Sequence, residues 1–339
     1  MLQSFLVAPG RIELREVKTP RPARGEVLLK VAAALTCGTD LKAFVRGHPV
    51  IPMPGPFGHE FSGTVAAAGK GVKAFREGDE VMAVHSAPCL KCPYCQRGLH
   101  NLCENIMETK VLGAFAEYVL LPEHVVRQNA FLKPLGLPFE EAALLEPLAC
   151  VVHGVSGLAL EKGQSALVIG AGPIGLLHAA LLSAKGLGAA VSDISKERLR
   201  AARAFAKRVV DPTKEAMDPS VRRFTGGVGF DYVFECTGRP EVWESAAGYL
   251  RRGGVLVLFG GCPRGTKVTY DTYRLHYDEI TLRGVFHYRP ADVREAYEML
   301  RGGRLKTARF ISASYPLRKI GKAFERLAKG KGIKYALIP

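Results

Sequence analysis

The stretch VIGAGPIG, residues 168–175, lies between an apolar run and a helical pattern and decides the fold of the middle of the chain. Its three glycines, Gly170, Gly172 and Gly175, have the spacing G-x-G-x-x-G. Pro173 and Ile174 stand between the last two glycines. Glycines so placed allow a tight turn and let backbone N–H groups meet a pyrophosphate at the positive end of the next helix. The stretch predicts a strand–turn–helix unit that binds a dinucleotide, against the alternative of a plain turn in another α/β protein.

A second apolar run ends at Asp193, and this position bears on the choice of dinucleotide. A carboxylate there accepts hydrogen bonds from the adenosine ribose hydroxyls and repels a 2′-phosphate, so the sequence predicts NAD, with NADP less favoured. Lys196 and Arg198 follow closely and would soften that preference. We also expect Arg198 to bind the cofactor, together with Thr237, which follows the run FDYVFEC and stands at the carboxyl end of the sheet.

The chain has two kinds of pattern on either side of residue 150. Up to about residue 135, short β-like runs are broken by Gly and Pro, which predicts a mostly antiparallel β domain. From about residue 150, apolar runs alternate with helical periods, which predicts an α/β domain with a doubly wound parallel sheet covered by helices on both faces. Two amphipathic helices and a strand follow residue 287, and their pattern does not say where they pack.

The composition is that of a folded enzyme with more than one core. The chain has 339 residues, of which 47% are hydrophobic and 23% charged, a balance far from that of disordered proteins. Its first residues lack a basic region followed by a long apolar run, so we expect no secretory signal and a cytoplasmic location. The uncharged residues 165–184 have the length of a membrane span, but their glycines serve the phosphate turn, so no membrane partner is expected.

The net charge of +15 raises the question of nucleic-acid binding. The basic residues are spread along the chain without a block of five, which favours a solvated basic surface that attracts anionic small molecules. We therefore expect no nucleic acid as a partner. Only three Asn and four Gln occur in the chain, which is a hint of a thermophilic source.

A short loop, CLKCPYCQRGLHNLC, carries four of the eight cysteines in the spacing C-x2-C-x2-C-x7-C. Four thiolates this close suit a tetrahedral Zn²⁺ with no open position, which is a structural site. An iron–sulfur cluster and four unmetallated thiols are the less favoured alternatives. The predicted ligands of the structural zinc are Cys89, Cys92, Cys95 and Cys103.

A second set of metal-binding residue types is dispersed along the first half of the chain. Cys37 lies in TCGTDLKAF, His59 and Glu60 in GHEFSG, and Glu146 in the apolar run AALLEPLAC. An unpaired carboxylate in such a run is costly to bury, and a metal would neutralise it. Cys, His and carboxylate are all zinc ligands, and three of them with an open position form a catalytic site. Four other histidines are weaker candidates for a cleft position: His48, His153, His276 and His287.

Together these motifs resemble the zinc-dependent medium-chain alcohol and polyol dehydrogenases. GHEFSGTVAAAGKGV fits the zinc signature of that family, and the four-cysteine loop, EPLAC, GAGPIG and YPLRKIGKAFE follow in the expected order along the whole chain. A glutamate at Glu146, where the simple alcohol dehydrogenases have cysteine, resembles the sorbitol, threonine and glucose dehydrogenase branch.

The resemblance implies a discontinuous GroES-like catalytic domain, residues 1–150 and 287–339, with a Rossmann NAD-binding domain, residues 151–286, between its parts. It implies a cleft between the domains as the active site, two zincs per chain, and a homotetramer, with a homodimer as second choice. Cys37 and His59 are the implied ligands of the catalytic zinc, with either Glu60 or Glu146 as the third.

The implied reaction is oxidation of a secondary alcohol of a polyol, sugar or hydroxy amino acid by NAD. A simple alcohol dehydrogenase is the alternative, and a basic zinc module that binds nucleic acid is a remote one. Thr39 resembles the hydroxyl that carries the alcohol proton away. Lys42 replaces the histidine usual in the family, and with a pKa of ~10.4 lysine is a poor proton relay near neutral pH.

Overall fold

The computed structural model describes all 339 residues, which form two compact units. Unit 1 comprises Met1–Val152 and His287–Pro339, and unit 2 comprises His153–Phe286. The sequence placed the first division after residue 150. In the structure the division falls after Val152, inside an apolar helix, α5 (Leu145–Val155), so it lies within one element and not between two.

Unit 2 is an alternation of strands and helices. Its strands are β9 (Ser165–Ile169), β10 (Gly188–Ser192), β11 (Arg208–Val210), β12 (Phe230–Glu235), β13 (Leu250–Leu258) and β14 (Thr281–Gly284). Its helices are α6 (Pro173–Ala184), α7 (Lys196–Ala202), α8 (Met217–Thr225), α9 (Pro240–Ala246) and α10 (Thr272–Tyr277). All six strands are parallel, in the order β11-β10-β9-β12-β13-β14, which is the dinucleotide-binding order of a Rossmann domain.

The order of this sheet places two loops side by side. The chain leaves β9 toward β10 on one side and later returns to β12 on the other, so the direction of winding reverses between β9 and β12. Ligands of open α/β sheets bind beyond the carboxyl ends of the strands at such a reversal. The glycine turn follows β9, and Thr237 follows β12, so both stand at this point.

Unit 1 is mostly β-structure. Its strands are β1 (Leu2–Ala8), β2 (Arg11–Glu16), β3 (Val27–Leu35), β4 (Gly55–Pro56), β5 (Glu60–Ala68), β6 (Glu80–Ala83), β7 (Tyr118–Leu121), β8 (Ala130–Leu132), β15 (Ile311–Pro316) and β16 (Lys334–Ile338). Its other helices are α1 (Gly38–Arg46), α2 (Pro93–Gln96), α3 (Glu123–Gln128), α4 (Phe139–Ala142), α11 (Pro290–Arg301) and α12 (Ile320–Ala328).

The main sheet of unit 1 has seven strands in the order β15-β16-β3-β5-β6-β8, with β7 also paired to β3, and a smaller sheet has the order β2-β1-β4. β16 runs antiparallel to β3 and parallel to β15. The last segments of the chain, whose packing the pattern did not determine, therefore belong to the sheet that contains β3. Their core contacts include rings from both parts of the unit, Phe44, Phe57, Phe115 and Phe324.

No helix is both long enough and apolar enough to cross a membrane. The uncharged run of residues 165–184 is divided into β9, the glycine turn and α6.

Candidate active site

The glycine turn has the close backbone contacts that its sequence predicted. Gly170 has φ +101°, and a Cβ on Gly175 would lie 1.7 Å from the carbonyl oxygen of Gly170. Gly172 caps α6, and a Cβ there would meet nothing within 4 Å. Pro173 and Ile174 form the first turn of the helix. Glycine is thus needed at positions 170 and 175, where a side chain would not fit. Gly172 leaves open space at the helix N-terminus, where a pyrophosphate would fit.

Asp193 lies beside this turn and is bonded to it. Its Oδ2 accepts a hydrogen bond from the N–H of Ala171 at 2.7 Å, and its Oδ1 accepts one from the N–H of Ser195 at 2.8 Å. Arg198 is near, with Nη1 3.9 Å from Oδ2. On the other side of the turn, Thr237 is so close that a Cβ on Gly170 would lie 2.9 Å from its Cγ2. The structure therefore brings the predicted cofactor residues together around one turn.

Strand pairing brings the dispersed metal-binding residues together in unit 1. Leu35, the last residue of β3, pairs with Glu60, the first residue of β5. Cys37 follows one strand and His59 precedes the other, so the antiparallel register makes them neighbours. One ligand atom from each of Cys37, His59 and Glu60 lies within 4.8 Å of the others. This set has the thiolate, imidazole and carboxylate donors of a zinc site.

Asp40, which was not predicted as a site residue, contacts both Cys37 and His59. Its Oδ2 accepts a hydrogen bond from the N–H of Cys37 at 3.2 Å, and its Oδ1 lies 3.1 Å from His59 Nδ1. Burial disfavours a charged imidazole, but the Asp40 carboxylate and the Cys37 sulfur hold the pKa of His59 well above its usual value. An acidic residue three positions after the cap of α1 was the available signal.

Lys334 was also missed, and it is the partner of Glu60. Its Nζ donates to Glu60 Oε1 at 2.7 Å, to Oε2 at 2.5 Å, and to the carbonyl of Thr36 at 3.0 Å. The lysine is 1% exposed and the glutamate 0%. Burial raises the pKa of Glu60, and Lys334 opposes this rise. The signal for Lys334 was a lysine at the start of an otherwise apolar strand.

Glu146, on α5, stands outside the group of Cys37, His59 and Glu60 but interacts with it. Burial raises the pKa of its carboxyl to about 7, and the charges of His59 and Glu60 act on it in opposite directions. Its Oε1 lies 3.4 Å from His85 Nδ1 and 3.7 Å from Cys150 Sγ. Burial also holds the pKa of His85 well below its usual value, so this imidazole is neutral. Glu146 is therefore a buried carboxylate without a full ion pair, as a third metal ligand would be.

A polar cluster next to His85 was not expected from the sequence. Ser86 Oγ lies 2.6 Å from His287 Nε2 and 2.9 Å from the hydroxyl of Tyr288. That hydroxyl in turn lies 3.3 Å from His85 Nδ1. His287, with φ +62°, is one of three non-glycine residues with left-handed backbone. Of the other candidate histidines, His48 is half-buried near Lys42, His153 lies in α5, and His276 lies in α10.

Thr39 and Lys42 both lie on α1, the helix that begins after Cys37, and both are half-buried. Thr39 lies two residues after Cys37 in the sequence. The structure thus places Thr39 and Lys42 on the helix that directly follows Cys37.

The four cysteines of the short loop form a second compact cluster, with their sulfurs within 4.8 Å of one another. The N–H of Cys92 donates to Cys89 Sγ at 3.4 Å, and the N–H of Cys89 donates to Cys103 Sγ at 3.3 Å. A backbone N–H from Lys91 lowers the pKa of Cys89 to about 6, whereas burial raises that of Cys95 to about 12. Amide donors on sulfur stabilise thiolates, so this donor set fits a structural zinc.

Comparison with known proteins agrees with this geometry. Residues 23–130 match the family described as the alcohol dehydrogenase GroES-like domain, and residues 173–302 match the zinc-binding dehydrogenase family. The sorbitol dehydrogenase of Bacillus subtilis strain 168 is 30% identical, with 94% of this chain and 91% of the relative covered. The D-arabinitol dehydrogenase 1 of Uromyces fabae is 31% identical, with 100% and 97% covered.

Solved structures of dehydrogenases are also similar to this chain. The alcohol dehydrogenase TADH of Thermus sp. ATN1 superposes with a TM-score of 0.92 at 28% identity, covering 100% of this chain and 99% of that one. A structure described as a zinc-binding dehydrogenase of Sinorhizobium meliloti 1021, bound to NADP, superposes with a TM-score of 0.90 at 31% identity and the same coverage. The chain therefore belongs to the zinc-dependent medium-chain dehydrogenases, nicotinamide-dependent oxidoreductases that act on CH–OH donors, and within them to the polyol dehydrogenase branch.

Proposed function

We propose that this protein oxidises a secondary alcohol group of a polyol or sugar, or of a hydroxy amino acid, and transfers the hydride to NAD. The observation that carries the proposal is the convergence of Cys37, His59 and Glu60, with which the buried Glu146 interacts, in a chain that also has the dinucleotide turn. The relatives named for sorbitol and D-arabinitol support a polyhydroxy substrate. NAD would supply the hydride acceptor.

Cys37 and His59 would hold a catalytic zinc, and we propose Glu146 as the third ligand. Both oxygens of Glu60 accept hydrogen bonds from Lys334, so that carboxylate is already neutralised, whereas Glu146 has no comparable cation. A zinc ion there would act as a Lewis acid that makes the substrate hydroxyl more acidic.

The protein groups around this site have distinct tasks. The Asp40 carboxylate, 3.1 Å from Nδ1, would orient the ring of His59 and leave Nε2 for the metal. The hydroxyl of Thr39, which is partly exposed, would accept the proton of the substrate hydroxyl and release its own proton to solvent. Lys42 would contact cofactor hydroxyls or phosphate from the same helix, a role that needs no proton transfer.

For the cofactor we propose NAD over NADP, with binding by the glycine turn, Asp193, Arg198 and Thr237. Asp193 is buried beside the turn, and a 2′-phosphate next to its carboxylate would be repelled. The S. meliloti relative is bound to NADP, and Arg198 lies near enough to Asp193 to weaken the preference.

We propose a second, structural zinc at Cys89, Cys92, Cys95 and Cys103, hence two zincs per chain. Elemental analysis should give two zincs for the unchanged protein, and one each for Cys37→Ala and Cys89→Ala. Glu146→Gln should lower retention of the first zinc against a chelator more than Glu60→Gln does. A total of one zinc, lost with Cys89→Ala and kept with Cys37→Ala, would contradict the catalytic metal.

The substrate proposal is tested by a screen of polyols, aldoses, threonine and simple alcohols, with NAD or NADP reduction followed by absorbance. We expect a polyol with NAD to give the highest kcat/KM. A simple alcohol dehydrogenase is the second candidate, supported by the likeness to the Thermus enzyme. Higher kcat/KM with simple alcohols would select it, and a tenfold preference for NADP would contradict the role given to Asp193.

We further propose a homotetramer, with a homodimer as second choice, that acts in the cytoplasm and binds neither nucleic acid nor membrane. The outer edge of β14 is unpaired in the single chain, and exposed rings lie on the preceding helix at Tyr273 and Tyr277. Such an edge is a natural pairing site for a second copy. Eight free cysteines support a reducing compartment. Light scattering measures the subunit number.

A further inference from the structure

Glu235 is a fully buried carboxylate in unit 2 that no step above uses. It is the last residue of β12 and is 0% exposed. Burial raises the pKa of its carboxyl, and hydrogen bonds from the next residues oppose that rise. A buried carboxylate is costly unless its hydrogen bonds are made, so these bonds explain how it is tolerated.

The carboxylate bonds to the loop that follows it. Oε1 accepts from the N–H of Thr237 at 2.7 Å and also from the Thr237 hydroxyl. The N–H of Gly238 lies 3.2 Å from both oxygens. Two consecutive amides therefore point inward at one side chain.

This arrangement fixes the direction of two carbonyl groups. The peptide bonds at Thr237 and Gly238 are trans, and in a planar trans peptide the C=O points opposite to the N–H. Since both N–H groups point toward Glu235, the carbonyls of Cys236 and Thr237 point away from it. The loop thus presents acceptors on the side opposite the buried carboxylate.

A second loop is held at the same place. A Cβ on Gly260 would lie 2.7 Å from Glu235 Oε2 and 2.2 Å from the nitrogen of Gly238, so the two loops are in direct contact. The only tryptophan of the chain, Trp243, donates from its indole N–H to the carbonyl of Gly260 at 2.8 Å. Loss of the carboxylate would loosen both loops.

The sheet order says which half of the dinucleotide this loop would meet. The pyrophosphate site stands at the end of β9, Asp193 stands on the β10 side of it, and Thr237 on the β12 side. With the adenosine ribose at Asp193, the nicotinamide riboside half extends toward β12. That half carries hydrogen-bond donors, the ribose hydroxyls and the carboxamide NH₂.

We propose that Glu235 is a positioning residue for the nicotinamide riboside half of the cofactor, acting by holding the Cys236 and Thr237 carbonyls outward as acceptors. The inference rests on the proposed cofactor site. It assigns to Glu235 an effect on one half of the dinucleotide and none on the other, which a merely structural role would not produce.

The test compares two isosteric substitutions on β12. Glu235→Gln replaces one acceptor oxygen by an NH₂ group that faces the loop amides. Asp231→Asn is the matched control at the opposite end of the strand, where Asp231 accepts from Ser165 and Arg251. Kd values for NADH, ADP-ribose and AMP are measured by calorimetry, and Trp243 fluorescence reports on the state of the two loops.

We expect Glu235→Gln to raise the Kd of NADH by about tenfold, corresponding to one lost hydrogen bond, and to change that of AMP less than about twofold. ADP-ribose weakened like NADH identifies the ribose hydroxyls as the donors, and ADP-ribose unaffected identifies the carboxamide. Asp231→Asn should leave all three unchanged. Equal weakening of AMP and NADH by Glu235→Gln, or no weakening, overturns the inference alone. Failure of the unchanged protein to bind NADH overturns the cofactor proposal as well.

Discussion

Three buried ionisable side chains in this protein avoid an unpaired buried charge in three different ways. Glu60 has a cation, Glu235 has three donors from the following loop, and His178 remains neutral. His178 lies on α6 between the rings of Phe234 and Phe259, each with its centroid 4.9 Å away. Its Nδ1 lies 3.0 Å from the carbonyl of Ile174, and its Nε2 has no hydrogen-bond partner.

We expect His178 to make the stability of unit 2 depend on pH. Burial lowers its pKa to about 4, from about 6.5 in the unfolded chain, so the unfolded chain binds the proton first as pH falls. Stability is therefore full above pH ~6.5 and is lost progressively down to pH ~4, by on the order of 3 kcal/mol. His178→Leu should remove most of this loss. Urea unfolding followed by Trp243 fluorescence at several pH values measures it, and an unchanged pH slope in the variant would contradict the assignment.

At the scale of elements, the four-cysteine loop carries a strained residue. Leu90, between the first two cysteines, has φ +60° and is 53% exposed, so its side chain gains little packing for an unfavourable backbone. This conformation accompanies the amides of Lys91 and Cys92 that donate to Cys89 sulfur. The strained backbone at Leu90 is therefore part of the loop geometry that stabilises the Cys89 thiolate.

Leu90→Gly should relieve that strain and stabilise the loop by about 1 kcal/mol, since glycine adopts positive φ freely. Leu99→Gly is the matched control: Leu99 is also exposed in this loop, at 42%, but has φ −84°. The measurement is the rate of zinc release to a chelator, which we expect to fall for Leu90→Gly only. Slower release from both variants, or from neither, would show that backbone strain at Leu90 does not limit the site.

Local pattern predicted the elements better than it predicted their partners. The strand, turn and helix around VIGAGPIG were predicted correctly, because their constraints lie within eight residues and each has a local signal. The polar cluster at His85 and the hydrogen bond that the Ala171 N–H donates to Asp193 depend on tertiary contacts instead. Lys334 meets Glu60 from a sequence separation of 274 residues, and no periodicity specifies such a pair.

At the scale of the whole molecule, two units with separate cores share one chain. The core of unit 1 includes residues from both of its parts, whereas that of unit 2 lies within one continuous segment. The four-cysteine loop belongs to unit 1, and Trp243 belongs to unit 2. Metal binding and tryptophan fluorescence thus report on different units.

Removal of zinc should therefore act unequally on the two units, since ligand binding stabilises the fold that holds it. After treatment with a chelator, the midpoint of thermal unfolding seen by circular dichroism should decrease, with an added early transition. The midpoint seen by Trp243 fluorescence should shift less. Cys89→Ala should reproduce the effect without a chelator, and equal shifts of both signals would mean that the units unfold as one.

The bonds of Asp193 have a consequence for attempts to change cofactor preference by protein engineering. A substitution by glycine or serine would remove the repulsion of a 2′-phosphate, but it would also take away the acceptors of the Ala171 and Ser195 amides. A buried donor left without an acceptor costs about 1–3 kcal/mol, so the gain in NADP affinity would be offset by a less ordered phosphate turn. A successful redesign must supply a new acceptor for Ala171 along with the new phosphate contact.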